Sequence, residues 1–183
     1  MSKENIRDQV TVHEHIYNLD SSIVASPNFD DIYDTYARTT SFSTVVIKDH
    51  TSNDIANYLL GGECRLILKT HGSANNPQEI IFTRKDYAQA RTKYVLFYEI
   101  LKSLALTHTF IFLGCGTDDP DIRMLFEDIQ FTHGRMPYHY MTLPKEEVHS
   151  DPCRQIRTVK LGRFWLRSLT IKVKPHLSWR FIA

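Results

Sequence analysis

A chain of 183 residues, 42% of them hydrophobic and 11% aromatic, is long and apolar enough to bury the core of one domain. Its net charge of +1 excludes a global field that would draw the whole molecule to nucleic acid or to a membrane surface. The charge is uneven, because residues 151–183 carry eight Lys or Arg and one acidic residue. We therefore expect one domain over residues 1–150 and a basic C-terminal extension over residues 151–183.

Short apolar runs alternate with helical patterns along the chain, after the end of a helix at residues 10–19. Strands are predicted, in order, at residues 22–26, 44–48, 65–70, 79–82, 109–113 and 138–142. Helices are predicted between them at residues 28–38, 52–60, 83–106 and 119–131, from apolar spacing, capping residues and Gly or Pro stops. Residues 159–173 are expected to form an edge strand or to dock elsewhere. This alternation predicts an α/β fold, with a Rossmann-like, mostly parallel sheet and helices on both faces.

The N-terminal residues and the cysteines predict the compartment. The first ten residues are polar and lack a signal core, and no apolar run is long enough to span a membrane. Cys64, Cys115 and Cys153 are odd in number and widely spaced, which argues against a disulfide framework or a zinc ribbon. His13 and His15 have the wrong spacing to share one helix face, so no metal site is expected there. These patterns predict a cytoplasmic protein that binds no membrane and no metal.

Polar clusters follow three predicted strands: SPNFD at residues 26–30, THGS at residues 70–73 and GCGTDD at residues 114–119. In open parallel sheets ligands bind at the carboxyl ends of the strands, so each cluster is a candidate for the site. His71 is either a general base, since imidazole titrates near neutral pH, or only a turn residue. Asn28 and Asp30 either belong to the site or cap the helix that follows them.

The third cluster gives a weaker signal. Gly114 and Gly116 lack the third glycine of a dinucleotide fingerprint, and Asp118 and Asp119 would repel a phosphate. Asp119 precedes Pro120, which is the pattern of an N-cap followed by the first helical residue. We therefore expect Asp119 to cap a helix.

Four segments together resemble the sirtuin-like domains of bacterial anti-phage defence systems, in order and in spacing, over residues 19–141. SPNFD is similar to that family's Thr-Thr-Asn-Tyr/Phe-Asp, and KTHGS to its strand ending in Leu/Met-His-Gly. IIFTRKDY at residues 80–87 is similar to its apolar strand followed by Asp-Tyr. FIFLGCGTDDPDI at residues 110–122 is similar to its Phe-Leu-Gly-Phe-Ser-x-x-Asp-Pro-x-Ile segment.

The resemblance implies a domain that binds NAD and releases nicotinamide by cleaving the N-glycosidic bond. It implies that His71 is the catalytic histidine, acting on the ribose hydroxyls, and that Asn28 positions the ribose or a water. Residues implied to contact the cofactor are Asp30, Gly72, Ser73, Gly114 and Gly116. The sequence lacks the four-cysteine zinc module of sirtuins that deacylate proteins, which favours NAD hydrolysis over deacylation.

The sequence also departs from the family. The family begins with a strand and a Gly-Ala-Gly-x-Ser phosphate loop that have no counterpart here, and Pro27 replaces a Thr. We therefore expect a sheet without its first strand or strands and without the Gly-rich phosphate loop. NAD binding is then expected to be weak, with a Kd of about a millimolar or worse, unless Arg154, Arg157 or Lys160 replaces the loop.

Two further functions stay open at this point. A non-catalytic interaction or oligomerisation module would pair with a copy of itself, with a missing N-terminal part or with a defence partner chain, through an open sheet edge. A nucleic-acid-binding accessory is disfavoured, since it is suggested by the basic tail alone.

Overall fold

The computed structural model describes residues 12–42, 44–59, 64–114, 120–133, 139–142, 156–161 and 164–169. The chain forms two compact units, Met1–Tyr98 and Glu99–Ala183. Each unit has its own sheet.

The first unit alternates helices and strands. Its elements in chain order are a helix over residues 12–18 (α1), β1 (Ile23–Ser26), α2 (Ile32–Thr40), β2 (Thr44–Asp49), α3 (Ala56–Leu59), β3 (Cys64–Lys69), a 3-10 helix (Pro77–Glu79) and α4 (Arg84–Lys93). Helix α5 (Val95–Thr107) begins in this unit.

The sheet of the first unit has the order β1-β3-β2, and both strand pairs are parallel. All residues from Arg65 to Lys69 are buried, whereas burial in β1 alternates along the strand. A central strand covered on both faces needs apolar residues at successive positions, which explains the run Leu66–Leu68. In β1 successive side chains point to opposite faces of the sheet, and every second one is buried.

The second unit contains β4 (Ile111–Phe112), α6 (Pro120–His133), β5 (Tyr140–Thr142), β6 (Ile156–Leu161) and β7 (Phe164–Leu169). Its strands have the order β4-β5-β7-β6, and all pairs are parallel except β6 with β7. The buried residues of its core, here called the aromatic core, are Ala105, Phe112, Phe126, Ile129 and Met141.

The predicted α/β class with a mostly parallel, Rossmann-like arrangement of strands is confirmed. Among the helices that the structure describes, none is long and apolar enough to cross a membrane. The predicted strand over residues 79–82 is wrong, because the 3-10 helix ends at Glu79 and the segment after it is irregular. There the Ile81 N–H donates to the His71 carbonyl, a loop contact that takes the place of a strand ladder.

The single helix predicted over residues 83–106 is two helices. The chain leaves helical geometry at Tyr94 (φ −115°, ψ 49°), although neither Gly nor Pro marks the break. The Tyr94 hydroxyl donates to Glu79 Oε2 at 2.6 Å, so a contact distant in sequence holds the residue at the break. Helix α2 begins at Ile32, four residues later than predicted. Residues 159–173, predicted as a possible edge strand, overlap β6 at the sheet edge and β7 inside it.

Candidate functional site

The candidate site lies where β1 and β3 end, on the same edge of the first sheet. In the strand register Ser26 pairs with Lys69, so the last residues of the two strands lie side by side. Asn28 and His71 each follow two residues after those strand ends. The structure therefore brings Asn28 and His71 to one carboxyl edge, where ligands bind in open parallel sheets. That their side chains face one cleft stays a prediction.

Two backbone hydrogen bonds join the loops that follow β1 and β3. The Thr70 N–H donates to the Ser26 carbonyl at 2.9 Å, and the Ala74 N–H donates to the Phe29 carbonyl at 2.8 Å. Both candidate catalytic residues lie between these two bonds along the chain. Their backbones are therefore held at a fixed relative position.

The side chains of Asp30 and Ser73 make local contacts in the same loops. Asp30 Oδ1 accepts a hydrogen bond from the Ile32 N–H at 3.1 Å, at the first residue of α2. Asp31 is the N-cap residue of α2 and makes no side-chain cap hydrogen bond, so Asp30 is not the cap itself, but it places a carboxylate beside the helix N-terminus, where negative charge is favoured. Ser73 Oγ accepts from the Asn75 N–H at 3.2 Å, within a turn. Contact of either residue with a cofactor stays a prediction.

Gly72 has a backbone conformation that other residues rarely adopt. Its φ is 86°, and a Cβ atom at this position would lie 2.8 Å from the Glu79 carbonyl oxygen. The turn therefore requires glycine. The His71 carbonyl accepts from the Ile81 N–H at 3.0 Å, and the half-buried His71 ring lies edge-on to Tyr87 at a centroid distance of 6.5 Å. The turn and these contacts fix the backbone of His71.

A buried histidine that the sequence analysis did not select, His50, lies beside this turn. It directly follows β2 and is only 2% exposed, and its Cε1 atom lies 3.3 Å from the position of a Cβ on Gly72. Its ring packs edge-on against Tyr94 at 4.9 Å. Burial lowers the pKa of His50 from its usual 6.5, although the nearby carboxylates of Asp49 and Glu79 oppose that shift. The polar clusters of the candidate site were selected because they follow predicted strands. His50 also directly follows a strand, so the same criterion could have selected it.

A buried ion pair also lies at this edge and was missed from the sequence. Lys69 Nζ lies 3.4 Å from Asp34 Oδ2 and donates a hydrogen bond to the Asp30 carbonyl. Burial raises the pKa of Asp34, although the Lys69 ammonium opposes that shift. The available signal was a lysine directly after the apolar run Leu66–Leu68. A lysine that continues a buried strand indicates a buried partner, because a lysine is almost never fully buried without one.

Gly114 lies in the second unit, two residues after β4. Its φ is 72°, and its N–H donates to Thr142 Oγ1 at 3.3 Å. Thr142 ends β5, the parallel neighbour of β4, so Gly114 lies at a carboxyl edge as expected. Gly116 and Asp119 lie outside the described residues.

No group of three or more His, Cys, Asp or Glu in the described ranges is arranged to hold a metal ion. His13 is buried in α1 with its ring 6.0 Å from that of Tyr33, whereas His15 is exposed. One ring of the pair is buried and the other is exposed, so the two rings do not lie side by side as ligands of one ion would.

The segments at these strand ends fall within one known family. The model of the SIR2-like domain matches residues 22–168. The chain belongs to the SIR2-like family. Its match begins at the residue before β1 and therefore includes both loops of the candidate site.

Several curated relatives share parts of this chain. It is 26% identical to Defense-associated sirtuin 2 of Bacillus subtilis over 119 residues, which is 62% of this chain and 11% of that protein. It is 36% identical to NAD(+) hydrolase ThsA of Enterococcus faecium over 67 residues, 36% of this chain and 14% of that protein. It is 25% identical to NAD(+) hydrolase ThsA of Acinetobacter baumannii over 134 residues, 69% of this chain and 27% of that protein. The matched segments thus span about a quarter or less of the relatives.

Proposed function

We propose that this chain binds NAD and hydrolyses the bond between nicotinamide and ribose at the carboxyl edge of the β1-β3-β2 sheet. The observation that carries the proposal is the register of Ser26 with Lys69, which brings Asn28 and His71 to one edge. Three relatives bear the name NAD(+) hydrolase, and a fourth is named a defense-associated sirtuin. We also propose a role in defence, which is supported by the name of the defense-associated relative. A cytoplasmic location is proposed because widely spaced cysteines suit a reducing compartment.

The chemistry requires charge to develop on the ribose. Nicotinamide leaves with the electron pair of the C–N bond, and positive charge spreads over the ribose carbon and its ring oxygen. Water then bonds to that carbon, and its proton passes to His71, directly or through a ribose hydroxyl, and then to solvent. Asn28 positions the water or the ribose. Fixed polar groups stabilise the developing charge because they need no reorganisation during the reaction.

Three residues of the first unit are proposed to contact NAD beside the reacting bond. Asp30 lies in the loop that carries Asn28, and Gly72 and Ser73 follow His71 directly. The left-handed backbone of Gly72 lets the chain turn without a side chain in the way. Contacts from Gly114 and Gly116 in the second unit stay predictions from the resemblance.

The proposal is tested by mixing the purified chain with NAD and measuring released nicotinamide by chromatography. His71→Ala should lower the rate by two to four decades, roughly the cost of losing a general base. His15→Ala is the matched control, because it makes the same change at an exposed histidine and should leave the rate unchanged. Asn28→Ala should also lower the rate, whereas Asn53→Ala, at an exposed loop residue, should not.

Two results would contradict the proposal. A His71→Ala protein that keeps most of the activity removes His71 from the chemistry. A wild-type chain that binds no NAD and releases no nicotinamide favours the alternative of a non-catalytic interaction module. Sedimentation of the same sample would then show whether the chain associates with itself.

A further inference from the structure

Lys69 joins the strand before His71 to the segment that carries Asn28. It is the last residue of β3, and its side chain is 2% exposed. Its ammonium donates to the carbonyl of Asp30 and pairs with the carboxylate of Asp34 at 3.4 Å. Both partners follow β1, so one buried cation connects the two loops of the candidate site.

Stability alone does not require a lysine at this position. A buried ion pair loses the hydration of both ions, and well-packed apolar residues of similar volume are often as stable or more stable. The three residues before Lys69, Leu66–Leu68, are apolar and buried, and an apolar residue in its place would continue that core. What an apolar residue would not supply is a donor for the Asp30 carbonyl.

The contact with Asp30 completes a set of tethers between the two loops. The Ser26 carbonyl is held by the Thr70 N–H and the Phe29 carbonyl by the Ala74 N–H. Lys69 holds the next carbonyl, that of Asp30. Beyond Asp30 the chain enters α2, where Asp34 pairs with the same ammonium. The loop that carries Asn28 is therefore fixed at both ends against the His71 turn.

We infer that Lys69 is a positioning residue that holds the Asn28–Asp30 loop at the geometry required beside His71. Because its side chain is only 2% exposed, Lys69 is proposed to act through the loop and not through contact with NAD or the reacting atoms. This inference rests on the proposed function for its effect on rate, but its effect on the loop is independent of any activity.

The deciding variant is the double change Lys69→Met with Asp34→Leu, which removes both charges together and leaves no buried ion unpaired. If the pair has no part in holding the loop, the folded variant should cleave NAD like the wild type. If Lys69 positions the loop, kcat should fall by about 10- to 100-fold with KM changed less than about threefold, because a small misplacement of reacting groups lowers the rate steeply.

Hydrogen exchange supplies a readout that does not depend on catalysis. The Ala74 amide, bonded to Phe29, should exchange at least about tenfold faster in the double variant. The Leu66 amide, bonded to the Ser22 carbonyl at 2.8 Å at the other end of the strands, is the internal control and should keep its protection. If the wild type proves inactive, the proposed function fails while this measurement still decides whether Lys69 holds the loop.

A second ion pair supplies the matched control variant. Lys48 lies near the end of β2 and pairs at 2.6 Å with Asp54, which lies between β2 and α3. Neither residue belongs to the loops after β1 and β3. Lys48→Met with Asp54→Leu should leave kcat and the Ala74 exchange rate unchanged. An equal loss in this control would overturn the inference, since any edge ion pair would then have the same effect.

The remaining outcomes also decide the matter. If the variant with Lys69→Met and Asp34→Leu does not fold, Lys69→Leu with Asp34→Asn takes its place, because it also removes both charges and the donor to the Asp30 carbonyl, and the same changes are expected. Unchanged kcat and unchanged Ala74 exchange in a folded double variant overturn the inference. Failure of both double variants to fold overturns it as well, because the ion pair would then serve folding itself.

Discussion

Both units bury apolar side chains, but most of the buried polar side chains in the described residues lie in the first unit. At the carboxyl edge of the first sheet Lys69, Asp34, His50 and Ser26 are all buried. In the described part of the second unit the aromatic core is apolar, and one polar side chain, His139, is buried. Buried charge costs free energy unless it is paired, whereas buried apolar area stabilises directly. The contrast is consistent with the proposal that the first edge carries the chemistry, whereas the aromatic core stabilises the second unit.

The largest expected effect on stability comes from the aromatic core. Phe126 is 0% exposed and packs edge-on against Phe112 at 5.5 Å. Phe126→Ala should lower the free energy of unfolding by about 3–5 kcal/mol, because it removes buried area and leaves a cavity. The measurement is urea denaturation followed by circular dichroism.

The same helix offers a control for that change. Phe131 also lies in α6 but is 84% exposed, so Phe131→Ala should change the free energy of unfolding by less than about 0.5 kcal/mol. Similar losses at Phe126 and Phe131 would break the comparison, since the aromatic core would then not be the source of stability.

The one buried polar side chain described in the second unit predicts a loss of stability in acid. Burial lowers the pKa of His139 from 6.5 to about 4, and its Nδ1 accepts a hydrogen bond from the Phe110 N–H at 3.1 Å. The folded state therefore binds the proton less readily than the unfolded state. The stability is fully present above pH 6.5 and is lost as pH falls toward 4, by roughly 3 kcal/mol in total.

This pH dependence is measured by urea denaturation at several pH values between 7 and 4. His139→Leu should flatten the curve, although it also removes the acceptor for the Phe110 N–H and so lowers stability at neutral pH. His133→Leu, at an exposed histidine of α6, should leave the slope unchanged. The pKa values of His13 and His50 are also lowered by burial, so part of the slope should survive in His139→Leu. An unchanged slope in His139→Leu would assign the whole acid loss to the first unit.

The sequence predicted features with a local signal and missed those that depend on tertiary contacts. The strands of the first sheet were predicted within two residues, since short apolar runs such as Leu66–Leu68 mark them. The predicted parallel sheet also indicated that its carboxyl edge would carry the site, and this is why Asn28 and His71 were selected as candidates. Lys69 and His50 were missed because what distinguishes them is burial beside partners distant in sequence, such as Asp34 and Gly72. The break at Tyr94 was missed for the same reason, since it depends on a contact with Glu79.

A capping box at Thr83, the spacing Thr-x-x-Asp that predicted a helix start at residue 83, is present in the structure. Thr83 Oγ1 accepts from the Asp86 N–H at 3.1 Å, and Asp86 Oδ2 accepts from the Thr83 N–H at 2.9 Å. These hydrogen bonds lower the pKa of Asp86, so the cap is fully formed above the usual carboxyl pKa of 3.8 and is lost as pH falls below it. The contact is exposed and spans three residues, in contrast to the buried groups at the carboxyl edge.

The smallest expected effect comes from removing this cap. Thr83→Ala should lower the free energy of unfolding by about 1 kcal/mol, because the first turn of α4 loses its side-chain acceptor, and Tm should fall by about 2–4 °C. Thr83→Ser keeps the hydroxyl and should stay near the wild type. Thr92→Ala is the matched control, since the exposed Thr92 hydroxyl donates only to carbonyls of its own helix, Ala88 and Gln89, and alanine is the better helix former. Equal losses of unfolding free energy in Thr83→Ala and Thr83→Ser would show that packing, and not the hydrogen bond, sets the helix start. The contrast between local and buried polar groups would then be weaker than the structure indicates.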